Sequence, residues 1–573
     1  MRQDRRIFLV NPSRSTLGYS FITPRWLFVL AAATPTELLG EPVLVDETLE
    51  RFRPESIEAG DIVGVSITSG NCLEGYRVLR EAKARGATVV VGGIHATIFP
   101  AEPIEMGADA VVTGNADEIW PRVLRDALSG RLQTCYAGGR LPGNALLKAD
   151  WSRLDPRKYM MASVQTVAGC PENCSFCSVW VTDGRQPRLR SSDRIVEEIQ
   201  ELRAMGVRIV VYADDNFAPA TWARIARERS GDTRRALAKV REERLRLFEE
   251  FHEKAPRDIW GLTQLTSEIV SDEEYMTAVR QKMQVRLCLV GVESFSERGL
   301  ESINKKWNPK GEEMLAAIRT LQERGIEVLS SIICGIESDT PETLAAMRGF
   351  AKRSGACVSQ FTIYSPFPGT KDYYELLRDK NGRDDPSYRP RHVIRLVDEK
   401  FWLSKTDPVF AFAHPEFSSE ALLAESQRSW SEYYSVREIR NRLRQDRIQR
   451  WPLAGKLTYL FGSIAFERLF GGRGVSSDSV RSRTLGIWTR VLLRIALSAF
   501  NHLSRRPKVA MSVLLVDKGL ADPTEGRSLV RLGYGFARAL RLRRAINSDV
   551  QLGAGDASAP PPHEDRLRPI WRS

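Results

Sequence analysis

The chain of 573 residues has few cysteines and few histidines, and it has no long apolar run. Eight cysteines without a pairing pattern are typical of a reducing compartment and argue against a disulfide framework. The basic start is followed by only four apolar residues before Asn11, which is too short for a signal peptide. No uncharged apolar stretch approaches the roughly 20 residues of a membrane-spanning helix. We therefore expect a cytoplasmic protein.

The excess of positive over negative charge is confined to one end of the chain. The net charge is +12, and residues 436–573 hold 26 lysines and arginines against 11 aspartates and glutamates. This tail therefore has an excess of 15 positive charges, and the first 435 residues sum to −3. Any anionic partner is expected to bind the tail. The basic residues have no accompanying aromatic platform or RNA-binding signature, so nucleic acid is not an expected partner.

Three of the eight cysteines lie within eight residues, in the stretch GCPENCSFCSVW. Cys170, Cys174 and Cys177 have the spacing C-x3-C-x2-C, and the other five cysteines are scattered singly. A closed structural zinc site needs four ligands, and no histidine lies within seventy residues on either side of the triad. The triad therefore leaves one metal position open, which favours a reactive cluster over a zinc knuckle.

Alternating apolar runs and helix-like stretches predict an α/β protein with two consecutive units. The first unit, residues 1–135, is expected to be a doubly wound, Rossmann-like parallel sheet with strands at 5–13, 41–47, 61–68, 87–96 and within 107–114. Residues 136–160 are rich in glycine and proline and are interpreted as a linker. The second unit, residues 161–400, is predicted to be a partial (β/α)6 barrel with strands at 162–167, 207–212, 258–265, 285–291, 328–334 and 358–363.

Three further segments lie within or after the predicted barrel. The stretch 222–257 is longer than a crossover helix requires and is interpreted as an inserted helical hairpin with a solvated charged face. Residues 401–550 are expected to be mainly helical and basic, with apolar segments at 455–472 and 484–506. These segments fit either an interfacial membrane helix or an amphipathic helix packed on the barrel. Residues 551–573 are expected to be disordered from their composition.

The cysteine triad after the first barrel strand resembles that of the radical S-adenosylmethionine (SAM) enzymes. The resemblance covers roughly residues 160–400 and implies a 4Fe-4S cluster held by Cys170, Cys174 and Cys177. The free fourth iron would bind SAM, and one electron would cleave SAM to a 5′-deoxyadenosyl radical. SAM contacts are then implied for Phe176, Asp214, Asp215, Glu293, Ser294 and Gly335. For Asp214 and Asp215 the alternative is a role as caps of the next helix.

The N-terminal sheet resembles the cobalamin-binding domain of one large radical SAM subgroup. This resemblance implies cobalamin contacts at Ser66, Thr68, Gly92, Gly93 and Gly114. The D-x-H-x-x-G loop that supplies a histidine to cobalt in other cobalamin proteins is absent, because His95 has Gly93 where the motif needs aspartate. Cobalamin without a protein histidine on cobalt is therefore implied. The alternative is a sheet that serves only as a scaffold.

These resemblances together imply a cobalamin-dependent radical SAM enzyme that methylates an unactivated carbon of a hydrophobic substrate, such as a membrane-derived isoprenoid. One alternative is an oxidative cyclase without methyl transfer, similar to the anaerobic porphyrin-ester cyclases. Another is a non-catalytic cobalamin- or cluster-binding sensor. RNA methylthiolation is not expected, because that family has a second cysteine triad and only Cys72 and Cys135 precede the barrel here. Flavodoxin or ferredoxin is the expected reductant, and an interfacial tail would add peripheral membrane contact.

Overall fold

The structure is a computed structural model that describes residues 5–470, except 384, 386, 405, 406 and 452. All of the described residues belong to one compact unit. The expected interfacial segment at 484–506 and the expected disordered end at 551–573 lie outside them. None of the helices within the described ranges is both long enough and apolar enough to cross a membrane.

The N-terminal part alternates strands and helices as the sequence predicts. Its elements are β1 (Ile7–Asn11), β2 (Ser20–Ile22), α1 (Arg25–Ala33), α2 (Thr36–Leu39), β3 (Val43–Asp46), β4 (Ile62–Ser66), α3 (Cys72–Lys83), β5 (Thr88–Gly92), α4 (Ile94–Ile98), α5 (Ala101–Glu105), β6 (Ala110–Gly114), α6 (Trp120–Leu128) and β7 (Cys135–Gly139).

Six of these strands form a parallel sheet in the order β3-β1-β4-β5-β6-β7. Runs such as IFLV in β1 are buried on both faces, as in parallel sheets covered by helices on both sides. The strand order reverses between β1 and β4, and ligands of doubly wound sheets bind at the carboxyl ends of the strands near such a point. The doubly wound sheet is therefore confirmed, with one strand more than expected.

The additional strand corrects the interpretation of residues 136–160 as a linker. β7 pairs with β6 along Val111–Gly114, so the linker stretch begins inside the sheet. Further along, Trp151 is 1% exposed, and its Nε1 donates a hydrogen bond of 3.1 Å to Glu198. The stretch is glycine- and proline-rich because it turns repeatedly, but it is packed against both parts of the protein.

The second part contains the six expected barrel strands with helices between them. Its elements are β8 (Tyr159–Val164), β9 (Val167–Ala168), α7 (Val179–Thr182), β10 (Arg188–Leu189), α8 (Ser192–Ala204), β11 (Ile209–Tyr212), α9 (Trp222–Arg227), α10 (Gly231–Lys254), β12 (Trp260–Leu265), α11 (Glu273–Thr277), β13 (Val285–Glu293), α12 (Glu297–Ser302), α13 (Gly311–Glu323), β14 (Glu327–Cys334), α14 (Pro341–Ser354), β15 (Val358–Ile363) and α15 (Lys371–Gly382).

The barrel sheet is open and entirely parallel, in the order β15-β14-β13-β12-β11-β8-β2. Its six main strands confirm the partial barrel. The seventh strand, β2, comes from the N-terminal part and pairs with β8, with Ser20 opposite Tyr159. A single boundary near residue 135 therefore does not separate the two units, since residues 20–22 belong to the barrel sheet.

The charged stretch at 222–257 forms α9 and α10, and α10 is the crossover helix between β11 and β12. The expectation of a solvated face is wrong at three arginines. Arg224 is 5% exposed, Arg241 is 2% exposed and Arg244 is 0% exposed. Arg241 forms a two-fold hydrogen-bonded ion pair with Asp272, at 2.6 and 2.9 Å. The charges on this face of α10 hold the helix to the barrel.

The described C-terminal part begins with a short antiparallel ribbon and continues as helices. Its elements are β16 (Arg395–Leu396), β17 (Phe412–Ala413), α16 (Ser419–Tyr433), α17 (Val436–Leu443), α18 (Asp446–Gln449) and α19 (Leu453–Phe470). The hydroxyl of Tyr434 donates to the carbonyl of Ser359 at 2.8 Å and accepts from its N–H at 3.0 Å. The backbone of the edge strand β15 is thereby covered, which removes an exposed sheet edge.

The described part of the segment 455–472 packs on the barrel. In α19, Tyr459 is 9% exposed, and its hydroxyl donates to the carbonyl of Cys357 at 3.0 Å. Phe466 lies against the rings of Trp430 and Tyr434 at centroid distances of 5.6 and 5.9 Å. The described part of this segment therefore agrees with the alternative of a helix packed on the barrel, since Tyr459 and Phe466 face the protein.

Candidate active site

All five predicted cobalamin contacts lie at or just beyond the carboxyl ends of β4, β5 and β6: Ser66, Thr68, Gly92, Gly93 and Gly114. Ser66 and Gly92 are opposite each other in the sheet register. Gly93 has a φ of 98°, and a Cβ there would lie 2.5 Å from the carbonyl oxygen of Ile67. Only glycine fits this position. The result is an accessible edge with glycine backbone at its centre, which suits a ligand that approaches the main chain closely.

The single histidine of this sheet is turned into the protein. His95 is completely buried; its Nε2 lies 2.9 Å from Glu102 and its Nδ1 lies 2.9 Å from the hydroxyl of Ser69. Glu102 also accepts hydrogen bonds from Tyr76 at 2.8 Å and Trp402 at 3.0 Å. Burial raises the pKa of Glu102, but these hydrogen bonds lower it below its ordinary value. Both nitrogens of His95 are thus occupied by protein groups, which leaves neither to bind cobalt.

The cysteine loop begins at a glycine that its geometry requires. Gly169 follows β9 with a φ of 87°, and a Cβ there would lie 2.9 Å from the carbonyl oxygen of Gly184. The N–H of Cys170 donates to the same oxygen at 3.1 Å. β9 itself pairs with β10 in an antiparallel ribbon. The first cysteine is therefore fixed by backbone contacts with the segment that follows α7.

The middle of the cysteine loop is held by three more hydrogen bonds. The N–H of Ser175 donates to the carbonyl of Ile303, and its own carbonyl accepts from the N–H of Asp372, both at 3.1 Å. The indole of Trp180 donates to the carbonyl of Cys174 at 2.9 Å. Segments from α7, α12 and α15 thus converge on the loop and set its shape.

Cys174 is buried and Cys170 and Cys177 are half-buried, and burial raises the pKa of each thiol. The pKa rises to about 12 for Cys174 and about 11 for Cys177, and it also rises for Cys170. Thiols in this environment stay protonated at neutral pH until a metal displaces the proton. Three sulfur ligands on one loop, at the carboxyl end of the first barrel strand, fit a cluster that leaves one iron open.

Asp214 occupies a different position from the one expected for a SAM contact. Its side chain is completely buried, and Oδ1 accepts from the N–H groups of Thr166 and Val167 at 2.6 and 3.0 Å. Its Oδ2 accepts from the hydroxyl of Thr166 and from Arg244. Both carboxylate oxygens are therefore used to fix the start of the cysteine loop. Neither the SAM contact nor the alternative of a helix cap agrees with this arrangement.

Asp215 is placed beside the cysteine loop. It is half-buried, and its negative charge contributes to the raised pKa of Cys177. Burial, followed by the charges of Asp183 and Asp214, raises the pKa of Asp215 to about 7. Among the described residues, no side chain donates a hydrogen bond to this carboxylate. Asp215 is thus the member of the pair that is available to a cationic ligand.

Glu293 lies at a distortion at the end of β13. It has a φ of 60°, and the register with β14 shifts between Gly291 and Glu293. Its Oε1 accepts a hydrogen bond of 2.9 Å from Lys305, which also donates to the carbonyl of Gly291 at 3.0 Å. A left-handed backbone at a residue other than glycine is often found at functional sites. The charges of Glu293 and Lys305 both act on Cys174, so the pair lies near the cysteine loop.

The other three predicted SAM contacts offer little free surface to a ligand. Ser294 is 2% exposed, and its hydroxyl accepts from the N–H of Ser296 at 3.2 Å. Gly335 is buried, and a Cβ there would lie 2.5 Å from the side chain of Leu422 in α16. Phe176 is partly buried against the core shared by the two parts. Of these three, only Phe176 presents side-chain surface beside the cysteines.

Two charged groups near the cysteines were not predicted from the sequence. One is Lys305, described above. The other is Glu172, inside the C-x3-C spacing, which receives an ion pair from Arg224 at 3.2 Å and a hydrogen bond from Arg227 at 2.8 Å. These partners lie more than 50 positions away along the chain. No motif in the sequence signals such contacts, because they depend on the packing of α9 against the loop.

Family models match both parts of the chain. The B12 binding domain matches residues 18–124, and the radical SAM superfamily matches residues 164–351. Bacteriochlorophyllide d C-8(2)-methyltransferase of Chlorobaculum tepidum is 26% identical over 61% of this chain and 76% of that protein. Hopanoid C-2 methylase of Rhodopseudomonas palustris is 24% identical over 63% and 65%. Anaerobic magnesium-protoporphyrin IX monomethyl ester cyclase of Rubrivivax gelatinosus is 23% identical over 65% and 70%.

Two solved structures share the fold. The radical SAM methyltransferase TsrM from Kitasatospora setae, with cobalamin and a [4Fe-4S] cluster bound, is 19% identical with a TM-score of 0.51 and covers 66% of this chain and 79% of its own. The cobalamin-dependent radical enzyme OxsB is 14% identical with a TM-score of 0.52 and covers 92% and 83%. With the two family matches, these findings define a cobalamin-binding domain followed by a radical SAM barrel. The chain belongs to the cobalamin-binding radical SAM enzymes, and its cofactors are a 4Fe-4S cluster, SAM and cobalamin.

Proposed function

We propose that this enzyme transfers a methyl group from SAM to an unactivated carbon of a hydrophobic substrate. When bound, the cluster and SAM supply a 5′-deoxyadenosyl radical that removes a hydrogen atom, and cobalamin supplies the methyl group. The main support for the proposal is that the carboxyl edge of the cobalamin-binding sheet lies close to the cysteine loop of the barrel. α4, which follows the glycine edge of the cobalamin-binding sheet, contacts α7, which follows Cys177.

Further contacts keep the two edges together. The loop after β15 meets the end of α4, and a Cβ at Gly369 would lie 2.7 Å from the side chain of Ile98. Val65 and Ala96 of the cobalamin-binding part share one hydrophobic core with Ile333 and Ile336 of the barrel. Burial of this shared apolar surface opposes separation of the two parts. A substrate between the edges would meet both reactive groups, which is the arrangement that methyl transfer through a carbon radical requires.

The residues of this chain would then act in three ways. Cys170, Cys174 and Cys177 hold the cluster. Asp215 would accept hydrogen bonds from the N–H groups of the SAM amino group, and its negative charge would strengthen them. Glu293, held in its left-handed conformation by Lys305, accepts from the SAM ribose. Phe176 packs against the adenine.

The cobalamin-binding edge is assigned to the backbone of Gly92, Gly93 and Gly114 and to the side chains of Ser66 and Thr68. Ile94, directly after Gly93, is 47% exposed and offers apolar surface to the corrin ring. Among the described residues no histidine has a free ring nitrogen on this edge, since both nitrogens of His95 have protein partners, so these residues would hold cobalamin without a protein nitrogen on cobalt.

The substrate class is proposed from two supports. The relatives named for hopanoids and bacteriochlorophyllides act on large and mainly apolar ring systems. The tail beyond residue 470 is basic and contains the apolar segment 484–506. We therefore propose a substrate derived from a membrane, which the tail would bring to the enzyme by binding an anionic surface. This substrate class agrees with the relatives and with the composition of the tail. Flavodoxin or ferredoxin is proposed as the one-electron donor.

The test is anaerobic incubation of the reconstituted enzyme with SAM, a one-electron reductant and candidate hydrophobic substrates. Methylation consumes SAM in two reactions, so both 5′-deoxyadenosine and S-adenosylhomocysteine should form. SAM with a trideuterated methyl group should add three deuterium atoms to the product. 5′-Deoxyadenosine without S-adenosylhomocysteine would instead indicate the cyclase chemistry of the magnesium-protoporphyrin relatives. The absence of both compounds would leave a binding protein.

A further inference from the structure

A group of metal-binding side chains lies behind the cysteine loop and has no part in the chemistry described above. Asp372 and Glu375 are three positions apart in the first turns of α15, so they share one face of the helix. His392 comes from the segment that follows the helix. One ligand atom from each residue lies within 4.8 Å of the others, a property that no other group of three or more such residues has within the described part of the chain.

The two carboxylates are oriented by partners outside the group. The hydroxyl of Tyr364 donates to Oδ2 of Asp372 at 2.6 Å, and Arg391 donates to Oε1 of Glu375 at 2.6 Å. Asp372 is 0% exposed, and its Oδ1 has no hydrogen bond of normal geometry among the described residues, although the Ser175 hydroxyl lies close enough to lower the pKa of Asp372. A buried carboxylate oxygen without a partner is costly, and a bound cation would remove that cost.

The histidine has the arrangement of a metal ligand with an outer carboxylate. Its Nδ1 lies 3.3 Å from Glu337, and its Nε2 lies 3.2 Å from Oε2 of Glu375. Histidines that bind metals usually donate their second ring N–H to a carboxylate, which fixes the tautomer and the ring orientation. Glu337 would play this role and leave Nε2 of His392 for the ion.

We propose that Asp372, Glu375 and His392 bind one divalent transition-metal ion of the zinc class. One imidazole and two carboxylates form a ligand set that suits zinc, and the fourth position would be filled by water. The site is separate from the cysteines, but the two are linked, because the N–H of Asp372 donates to Ser175 in the cysteine loop. The ion would link α15 to the segment that contains His392. It would thereby stabilise α15, whose Asp372 holds the cysteine loop through Ser175.

The alternative occupant of the group is a proton. Burial by itself lowers the pKa of His392, but hydrogen bonds to Glu337 and Glu375 raise it to about 9. A charged imidazolium between these carboxylates would need no metal. The metal and the proton can be distinguished by the metal content of the protein and by the atoms that surround the metal. These two properties can be measured on the intact enzyme.

The first experiment uses the full-length enzyme with its cluster and cobalamin, equilibrated with zinc and then freed of loosely bound ions. Elemental analysis should find about one zinc per chain in addition to the iron and cobalt. X-ray absorption at the zinc edge should show nitrogen and oxygen neighbours at about 2.0–2.1 Å and no sulfur at about 2.3 Å. Absence of zinc, or a sulfur shell from the cysteines, would overturn the proposal in favour of the imidazolium.

The second experiment compares two histidine variants. His392→Gln should lose the zinc and retain the iron of the cluster. His414→Gln is the matched control, since His414 is also half-buried and its Nε2 lies 3.0 Å from the carbonyl of Ile336, outside the group. It should retain both metals. Zinc that persists in folded His392→Gln would contradict the proposal, and if that variant does not fold, the absorption spectrum of the unmodified enzyme decides.

Discussion

The guanidinium of Arg244 lies 3.2 Å from the carboxylate of Asp214, and both side chains are completely shielded from solvent. Arg244 comes from α10, and Asp214 fixes Thr166 and Val167 at the entrance to the cysteine loop. The ring faces of Phe217 and Phe248 lie 4.5 and 4.7 Å from the guanidinium. A crossover helix thus positions the loop through one buried ion pair.

Replacement of Arg244 by leucine should lower the free energy of unfolding by about 3–5 kcal/mol, because it leaves the Asp214 carboxylate buried without its partner. Arg246→Leu, at an exposed position on the same helix, should change it by less than about 0.5 kcal/mol. Urea denaturation of the two variants provides the comparison. Equal losses would show that the ion pair contributes nothing particular to stability.

Affinity for SAM should depend on the ionisation of Asp215. Its pKa of about 7 means that the carboxylate is mostly charged at pH 8 and mostly neutral at pH 6. Since an amino group that donates hydrogen bonds to Asp215 favours the charged carboxylate, the dissociation constant of SAM should rise about tenfold from pH 8 to pH 6.

The variants Asp215→Asn and Asp183→Asn test this assignment. Asp215→Asn should bind SAM weakly with little pH dependence between pH 6 and pH 8. Asp183→Asn removes a neighbouring negative charge that raises the pKa of Asp215, so its pH profile should keep its shape and move to lower pH. Equilibrium binding measurements with the reconstituted protein provide the profiles. An unchanged profile in Asp215→Asn would remove Asp215 from the SAM site.

Strand positions were predictable because parallel buried strands are continuous apolar runs of recognisable length. The runs in β1, β4 and β5 carry this signal clearly. The cysteine triad was predictable because ligands of one cluster lie close together in sequence. Arg244 and Lys305 could not be found in this way. A charge run such as that of α10 has the same composition whether its arginines face solvent or pair with buried carboxylates, and only the tertiary packing distinguishes the two.

Sequence patterns also failed to predict the two strands that join a sheet from a distant or irregular segment. The glycine- and proline-rich stretch after residue 135 contains the edge strand β7, and β2 joins the barrel sheet from the N-terminal part. β2 has only three residues, and β7, with the sequence CYAGG, has no apolar run, so neither gives a clear signal. Asp214 and Asp215 are adjacent in sequence, yet Asp214 is fixed by buried hydrogen bonds and Asp215 lies beside the cysteine loop without a side-chain donor among the described residues. Their difference depends on which face of the turn meets Arg244.

Iron content should depend on the three clustered cysteines alone. The anaerobically reconstituted protein should hold about four irons, and replacement of Cys170, Cys174 or Cys177 by alanine should remove them. Cys135→Ala, at an exposed position outside the loop, should retain the full content. Four irons in a variant without all three loop cysteines would contradict this assignment.

Cobalamin should bind with no protein nitrogen on cobalt. Electron paramagnetic resonance of the cob(II)alamin form should show no nitrogen superhyperfine splitting, because His95 is held by Glu102 and Ser69. Gly93→Ala should weaken cobalamin binding strongly, since its Cβ would meet the carbonyl of Ile67. Gly130→Ala is the matched control, with a φ of 68° and open space around it. A nitrogen triplet, or equal effects of the two substitutions, would contradict the assigned edge.

The basic tail should bring the enzyme to anionic membranes. Each arginine near a charged surface contributes about 1 kcal/mol, so glutamate at both Arg490 and Arg494 should weaken binding to anionic vesicles by tenfold or more. The control replaces the exposed Arg85 and Arg131 by glutamate and changes the net charge equally. Vesicle sedimentation at low and high salt measures both. Full-length protein that does not bind at low salt would favour a substrate dissolved in water.

The most direct measurement is the formation of 5′-deoxyadenosine from SAM by the full-length enzyme under anaerobic, reducing conditions. Protein reconstituted with about four irons and cobalamin should release 5′-deoxyadenosine, and the Cys177→Ala variant should release none. This is the expected result if the cysteine loop holds a cluster that cleaves SAM reductively. If the protein with its full iron and cobalamin content binds SAM but produces no 5′-deoxyadenosine, with any candidate substrate present, the assignment as a radical SAM enzyme is contradicted.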